Sequence, residues 1–451
     1  MNDLDRFDPL QMAYAAALVD LGREQQGRRP DRKLILRTLE ILFESQLDDG
    51  LWSKGNPIFH YEGLGSVYPF AFETLAAVMH MAFRVASSTN DPAWTQFLHP
   101  YLPSLLRTLT WAESHELQGD HSTGWRSNHV LPGNQPHAWA TAMVLSFVRA
   151  LDAVLQRLTS EHVLSGFAAR YLGKVDGLEL EADNWTRLWD SDVTRENGER
   201  STLKRVLFSS VITPHLNRAD PRVWNMVLSG PPGTAKTALS EEIARALGWP
   251  LITMGTGDFL AEGADRMAGE ARRLFRRLEL LSDAIVLIDE VDEFVRERNQ
   301  EKNDRESRLI TTAMLTLLQG LKERKRVLLI LATNSKDFDP AIIRSGRMDL
   351  LLYVLPPSFE SKRIALVDLL GEGTPGRRAE FADAMREPAS RIAIERFTYL
   401  EWNEFLRSLS SSASSLTGER LVALIAERAR SLALTDEEWT DWKGRRSEVH
   451  V

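Results

Sequence analysis

The sequence predicts an α/β domain built on a five-stranded parallel sheet with helices on both faces. An all-α repeat domain precedes it and a small helical lid follows. Three observations carry this reading. From Val223 onward, near-continuous apolar runs alternate with helix-periodic segments, the pattern of strands buried on both faces. The first of those runs feeds a glycine-bearing turn and then a helix, reading GPPGTAKT from Gly230 to Thr237. Before Arg170, a helix–turn–helix unit occurs twice, about 70 residues apart.

Composition sets the outer bounds. A chain of 451 residues has room for roughly three domains. Its 43% apolar and 26% charged content is that of an ordinary globular protein. A net charge of −8 gives no whole-chain argument for nucleic acid or an anionic membrane. With no cysteine, disulfides, thiolate metal sites and cysteine nucleophiles are excluded. The N-terminus lacks a signal-peptide pattern, and no apolar run is read as approaching the ~20 residues of a membrane span. The expected address is the cytoplasm, without a membrane.

Residues 1–171 carry the repeat. One copy runs RTLEILFESQLDDGLW from Arg37 to Trp52, and the other begins RTLTWAESHELQGD at Arg107. Each is followed by a second apolar helix, starting near Tyr68 and Pro136. The turn Gln46-Leu-Asp-Asp-Gly50-Leu-Trp52 is similar to the Q-x-x-x-G-x-W turn of terpene-cyclase-like α/α toroids. Gly50 would end the helix and Trp52 fold back over its apolar end. The acid motif DxDD of a cyclase is absent. His60, His80, His115, His121, His129 and His137 lack metal-site spacing, and Trp94, Trp111, Trp125 and Trp139 read as core. The expectation is a partner-binding helical domain.

Residues 172–202 are acidic and turn-rich, which reads as a linker. Leu203 to Leu216 reads as an amphipathic helix entering the α/β domain, 203–357. Its expected strands are VWNMVL, PLITM, AIVLI, VLLILA and LLLYVL, and ligands of such sheets sit at the strands' carboxyl ends. Gly230, Pro231, Pro232, Gly233, Thr234, Ala235, Lys236, Thr237 and Ala238 would cradle phosphates on backbone N–H groups and the helix N-terminus. Lys236 would reach the β- and γ-phosphates of ATP, and the Thr237 hydroxyl would hold Mg²⁺. Asp289 ends a buried strand and suits the opposite side of the metal shell. Glu290 beside it suits a general base for water. Asn334, ending the next strand, can bind the attacking water or the γ-phosphate without adding charge. Arg344 and Arg347 would reach a neighbouring subunit's nucleotide. Asp292 and Glu293 are assigned no chemistry.

GPPGTAKT, IVLIDE, ATN and DPAIIRSGRMD, in that order, resemble the AAA branch of the AAA+ ATPases. The resemblance covers Leu203 to about Pro357. It implies Walker A at Lys236 and Thr237, Walker B at Asp289 and Glu290, sensor 1 at Asn334, and arginine fingers at Arg344 and Arg347. It also implies a ring, commonly a homohexamer, that binds Mg-ATP at subunit boundaries. Four letters depart from the pattern. Ala235 replaces a glycine, and alanine resists positive φ. Gly263 and Ala264 stand where threading members carry an aromatic–aliphatic pore pair. In the lid, 358–451, Glu419 replaces a small residue beside Arg420, a candidate sensor 2. The expected activity is ATP hydrolysis coupled to remodelling or switching of a protein partner. The alternative is an ATP-binding scaffold with little turnover. The tail DEEWTDWKGRRSEVHV reads only as a short amphipathic end.

Overall fold

The computed structural model describes residues 8–52, 68–89, 97–127, 135–173, 191–195, 198–218, 220–255, 258, 267–292, 318–336, 347–370, 375–410, 416–445 and 447–449. The chain divides into two compact units, Met1–His162 and Val163–Val451.

The first unit is helical: α1 (Pro9–Gln25), α2 (Arg32–Glu44), α3 (Pro69–Thr89), α4 (Leu102–Ser114), a short hairpin β1 (Leu117–Gln118) and β2 (Thr123–Gly124), then α5 (Ala138–Ser165). Asp8 and Asp31 cap α1 and α2 by accepting from Leu10 N at 2.9 Å and Leu34 N at 3.2 Å. Leu39, Leu42, Phe72, Leu75, Leu105 and Phe147 form the core. The two repeat copies share a device. Trp52 Nε1 donates to Leu42 O and Trp125 Nε1 donates to Ala112 O, each at 2.7 Å, closing the helix end behind it. Gly50 has φ +84, and a Cβ there would lie 2.6 Å from the Arg107 carbonyl carbon on α4. Gln46 Nε2 completes the turn, donating to Gly50 O at 2.9 Å and to Thr108 Oγ1 at 3.0 Å.

Two sequence expectations are corrected in this unit. Trp139 is exposed rather than core. Helix α5 has 28 residues and is apolar enough, by length and composition, to cross a membrane. Arg149 and Asp152 interrupt its apolar run in sequence while the helix continues through them. Val144, Phe147, Leu151 and Val154 on α5 are buried in the core, as a core helix requires.

The second unit opens with an antiparallel hairpin, β3 (Asp192–Thr194) and β4 (Arg200–Thr202), inside the segment read as linker. Helix α6 (Leu203–Leu207) passes through a π-helical turn at Phe208–Ile212 into α7 (Thr213–Leu216). Next come β5 (Asn225–Ser229), α8 (Lys236–Leu247), β6 (Leu251–Met254), α9 (Met267–Leu278), β7 (Ala284–Ile288), β8 (Val327–Thr333) and β9 (Leu350–Tyr353). These five strands are parallel in the order β9-β5-β8-β7-β6. Alternate residues face two cores. Met226, Leu228, Ile285, Leu287, Leu328 and Ile330 pack with α6 to α8, while Val227, Val286, Ile288, Leu329 and Leu331 pack with Phe275 and Leu278 of α9. Burial on both faces is why each strand reads as an unbroken apolar run.

The lid is α10 (Phe359–Leu370), α11 (Pro375–Arg386), α12 (Pro388–Arg396), α13 (Tyr399–Ser410) and α14 (Gly418–Ala429), packed around Phe381, Phe397, Trp402 and Ile425. Lys362 is fully buried there and donates to Ile394 O at 2.8 Å and Glu395 O at 3.2 Å, capping the end of α12. Burial pushes its pKa down to about 7, against the pull of Glu395 and Glu401. The lid touches the phosphate loop directly, since Leu400 N donates to Gly233 O at 3.0 Å.

The tail has a definite place. Helix α15 (Asp436–Gly444) starts with a Thr435/Glu438 capping box and buries Trp442 against Tyr353 of β9. Strand β10 (Glu448–Val449) then adds antiparallel to β9, so the sheet gains a sixth, edge strand. Ser447 N donates to Thr194 O at 2.9 Å and Ser447 Oγ accepts from Tyr353 N at 3.1 Å. Residues 447–449 thus leave the helical bundle and join the sheet.

Candidate active site

Strand β5 stops at Ser229, and its hydroxyl donates to Ser335 O at 2.7 Å. Gly230 follows, where a Cβ would strike Val354 O, so the close approach itself requires glycine. Gly233 turns with φ +79, and Thr234 Oγ1 donates to Pro231 O at 2.9 Å. Pro232 is exposed and Ala238 packs half-buried beside the sheet. Ala235 adopts φ +63 and ψ 38 immediately before α8. The left-handed conformation that the sequence assigns to a glycine is therefore present with a side chain on it, at a cost of about 1 kcal/mol.

Lys236 opens α8 and is 8% exposed. Its ammonium donates to Gly230 O at 2.9 Å, Pro231 O at 3.1 Å and Asn334 Oδ1 at 2.8 Å. Burial lowers its pKa to about 8, opposed by the charges of Asp289 and Asp292. Thr237 Oγ1 donates to Asp289 Oδ2 at 2.7 Å, so the two groups expected around the metal are neighbours. Asp289 Oδ1 accepts from Glu290 N at 2.9 Å. Glu290 is exposed at the strand end with φ +56, another left-handed residue that is not glycine. Lys236, Thr237, Asp289, Glu290 and Asn334 thus converge at the carboxyl ends of β5, β7 and β8.

Asp292 is the residue that sequence reasoning missed. Its Oδ1 accepts from the Thr333 hydroxyl, from Asn334 N at 2.6 Å and from Ser335 N at 3.1 Å. It clamps the end of β8. The available signal was an aspartate just beyond a buried strand whose neighbour ends in Asn334.

Arg347 stands elsewhere. Arg344 lies outside the described residues. Arg347 is half-buried, and its carbonyl accepts from Asn225 Nδ2 at 3.0 Å. Asp349, two residues on, is buried; it accepts from Trp224 N at 2.9 Å and Asn225 N at 3.0 Å, and pairs with Lys322 at 2.6 Å. These contacts pin residues 347–349 to the amino end of β5. Lys236 lies past its carboxyl end, beyond four residue steps or about 13 Å of strand. Arg420 is exposed in the first turn of α14, its N–H on Thr417 Oγ1 at 3.3 Å. Gly263 and Ala264 lie outside the described residues. Among the described residues, no group of three or more His, Cys, Asp or Glu could hold a metal ion.

Residues 226–355 match the family described as "ATPase family associated with various cellular activities (AAA)". The chain is 30% identical over 187 residues to "Protein SAV" of Sulfolobus acidocaldarius, covering 38% of this chain and 24% of that protein. It is 26% identical over 298 residues to the "ATPase family gene 2 protein" of Schizosaccharomyces pombe, covering 58% and 36%. It is 30% identical over 224 residues to "ATP-dependent zinc metalloprotease FtsH 1" of Symbiobacterium thermophilum, covering 46% and 38%. The chain thus spans between 24% and 38% of the length of these relatives. The parallel sheet and the glycine-bearing turn after β5 lie within the residues of that match and agree with the AAA domain fold.

Proposed function

We propose that the protein hydrolyses Mg-ATP at sites completed by a second copy of the chain, and that turnover remodels or switches a protein partner held by the N-terminal helical unit. The observation that carries this is the separation just described. The groups that bind and activate gather at one end of the sheet, while Arg347 is pinned at the other. A chain would have to break the contacts of residues 347–349 with Trp224 and Asn225 to bring its own Arg347 toward its own Lys236, whereas a neighbour in a ring can supply one.

The donor set fits the cofactor. Magnesium takes one or two carboxylates together with phosphate oxygens, and Thr237 and Asp289 offer a hydroxyl and a carboxylate at 2.7 Å from each other. When bound, the ion neutralises charge on the β- and γ-phosphates. Lys236 holds the phosphates with a largely desolvated charge. Glu290 orients the water and takes its proton, and the Asn334 amide fixes the water or the γ-phosphate. Arg344 and Arg347 of the neighbour stabilise the transferring phosphoryl group, an effect typically worth ~10³–10⁵ in rate. A homohexameric cytoplasmic ring acting on a docked partner completes the proposal. Pore threading has little support from glycine and alanine at 263 and 264.

The test mixes two dead variants. Lys236→Ala removes the binding half and Arg347→Ala the donated half. Each alone should lose phosphate release. Mixed, they should regain it, because an Arg347→Ala subunit beside a Lys236→Ala subunit forms one intact boundary. Mixtures that stay dead would overturn the shared site. A second reading, an ATP-binding switch with little turnover, is favoured by the strained Ala235. Steady-state phosphate release, together with sizing with and without ATP, separates the two.

A further inference from the structure

Asp292 has no part in the roles above, yet it contacts the residue on which two of them depend. Beyond Thr333 the β8 ladder ends, and Asn334 N and Ser335 N need acceptors other than a neighbouring strand. One carboxylate oxygen of Asp292 serves both, at 2.6 and 3.1 Å, and also takes the Thr333 hydroxyl. The other oxygen lies 3.5 Å from Asn334 Nδ2, while Asn334 Oδ1 accepts from Lys236 at 2.8 Å. Between an ammonium and a carboxylate, an amide has one orientation that satisfies both: oxygen toward Lys236, NH₂ toward Asp292. Asp292 also sits two residues from Glu290 on the loop that follows β7.

We propose that Asp292 is a positioning residue for the phosphoryl-transfer site, setting the orientation of the Asn334 amide and its register against Glu290. The base and the amide stand beyond the ends of two different strands, and the last backbone bond between those segments is Val291 N to Ala332 O at 3.1 Å, short of Asn334 and Ser335. Asp292 bridges that gap. Its work is therefore done on the reacting geometry rather than on nucleotide affinity. The inference rests on the ATPase reading of the site.

The experiment compares Asp292→Asn, Asn334→Ala and the double variant in the full-length protein. It measures kcat, KM for ATP, affinity for a fluorescent ADP analogue and Tm. Asp292→Asn should lower kcat about tenfold or more, because a misplaced reacting group costs up to ~10²-fold, while KM and ADP affinity stay within about threefold. In the double variant the two losses should not multiply, since both break one unit. Thr333→Val, which removes the hydroxyl that donates to Asp292 and accepts from Ser335 N at 3.0 Å but leaves the carboxylate on Asn334 N, is the milder variant; it should show a smaller loss confined to kcat and carries the test if Asp292→Asn does not fold. Wild-type kcat in these variants, fully multiplicative losses, or a loss seen only in KM and Tm would overturn the assignment. Glu290→Gln run alongside tells the two failures apart. If it stops phosphate release while Asp292→Asn and Thr333→Val leave kcat untouched, only the Asp292 role falls. If Glu290→Gln leaves release unchanged, the ATPase reading falls, and Asp292's role with it.

Discussion

Gly50 and Ala235 occupy the same region of backbone space for different ends. Both have left-handed φ, +84 and +63, and both close a turn against a helix. At Gly50 the space is filled: a Cβ would press on the backbone of Arg107 and Thr108, and nothing there can retreat. At Ala235 the side chain is accommodated and only the torsion is unfavourable. The turn of the helical unit is a packing element without slack, whereas the phosphate loop holds modest strain. Glu290, with φ +56, repeats that pattern at the other side of the site. Among the described residues, Ala235 and Glu290 are two of six left-handed residues that are not glycine; the other four, Arg218, Asp220, Asp283 and Lys325, lie in connections before the strands.

The largest expected effect tests the functional side of that comparison. Glu290→Gln keeps the shape of the side chain and removes the proton acceptor, so ATP should still bind while hydrolysis drops by about 10²–10⁴-fold. Single-turnover phosphate release beside nucleotide titration would measure both, and unchanged turnover would remove Glu290 from its role. Gly50→Ala tests the structural side. Clash and torsion together should cost about 3 kcal/mol of the first unit's stability, seen as a lowered urea midpoint. A silent Gly50→Ala would mean that this turn has slack after all.

The buried lysine of the lid adds a pH-dependent contrast. Lys362 has a folded pKa of about 7 against an ordinary 10.5, so between those values the unfolded chain holds a proton that the folded one has released. Stability should therefore rise as pH climbs from 7 toward 10.5, and Lys362→Met should flatten that slope. Thermal melts of both proteins across this range would show it, and parallel curves would refute it. The smallest effect is at the loop itself. Ala235→Gly should relax the torsion and stabilise the second unit by about 1 kcal/mol, read as a small rise in Tm. If phosphate release quickens as well, Ala235 is a brake on turnover, and the low-turnover alternative gains a mechanism.

Legibility in the sequence followed distance along the chain. The five parallel strands could be read because each is buried on both faces and so carries its own apolar signature. The phosphate loop could be read because its requirement is local: a strand, a turn with glycine at Gly230 and Gly233, then a lysine that opens a helix. Asp289 and Glu290 followed from their place at a strand end. Asp292 did not, because its partners Thr333, Asn334 and Ser335 come from another strand more than 40 residues away. The tail was equally silent. A two-residue strand has too little pattern to announce itself, and β10 exists because the edge of β9 offers it a ladder.

Residue order alone therefore dictated the strands, the anion loop and the identity of the groups that would bind and activate ATP, since these rest on periodicity and on conformations set within a few residues. Three further features needed the chain to close on itself. Asp292 clamps the end of β8, Leu400 rests on Gly233, and Arg347 is anchored at the amino end of the very strand whose carboxyl end leads into the Gly230–Thr237 turn. Each is a pairing between segments distant in sequence, and no local preference encodes which distant backbone a hydrogen bond will find.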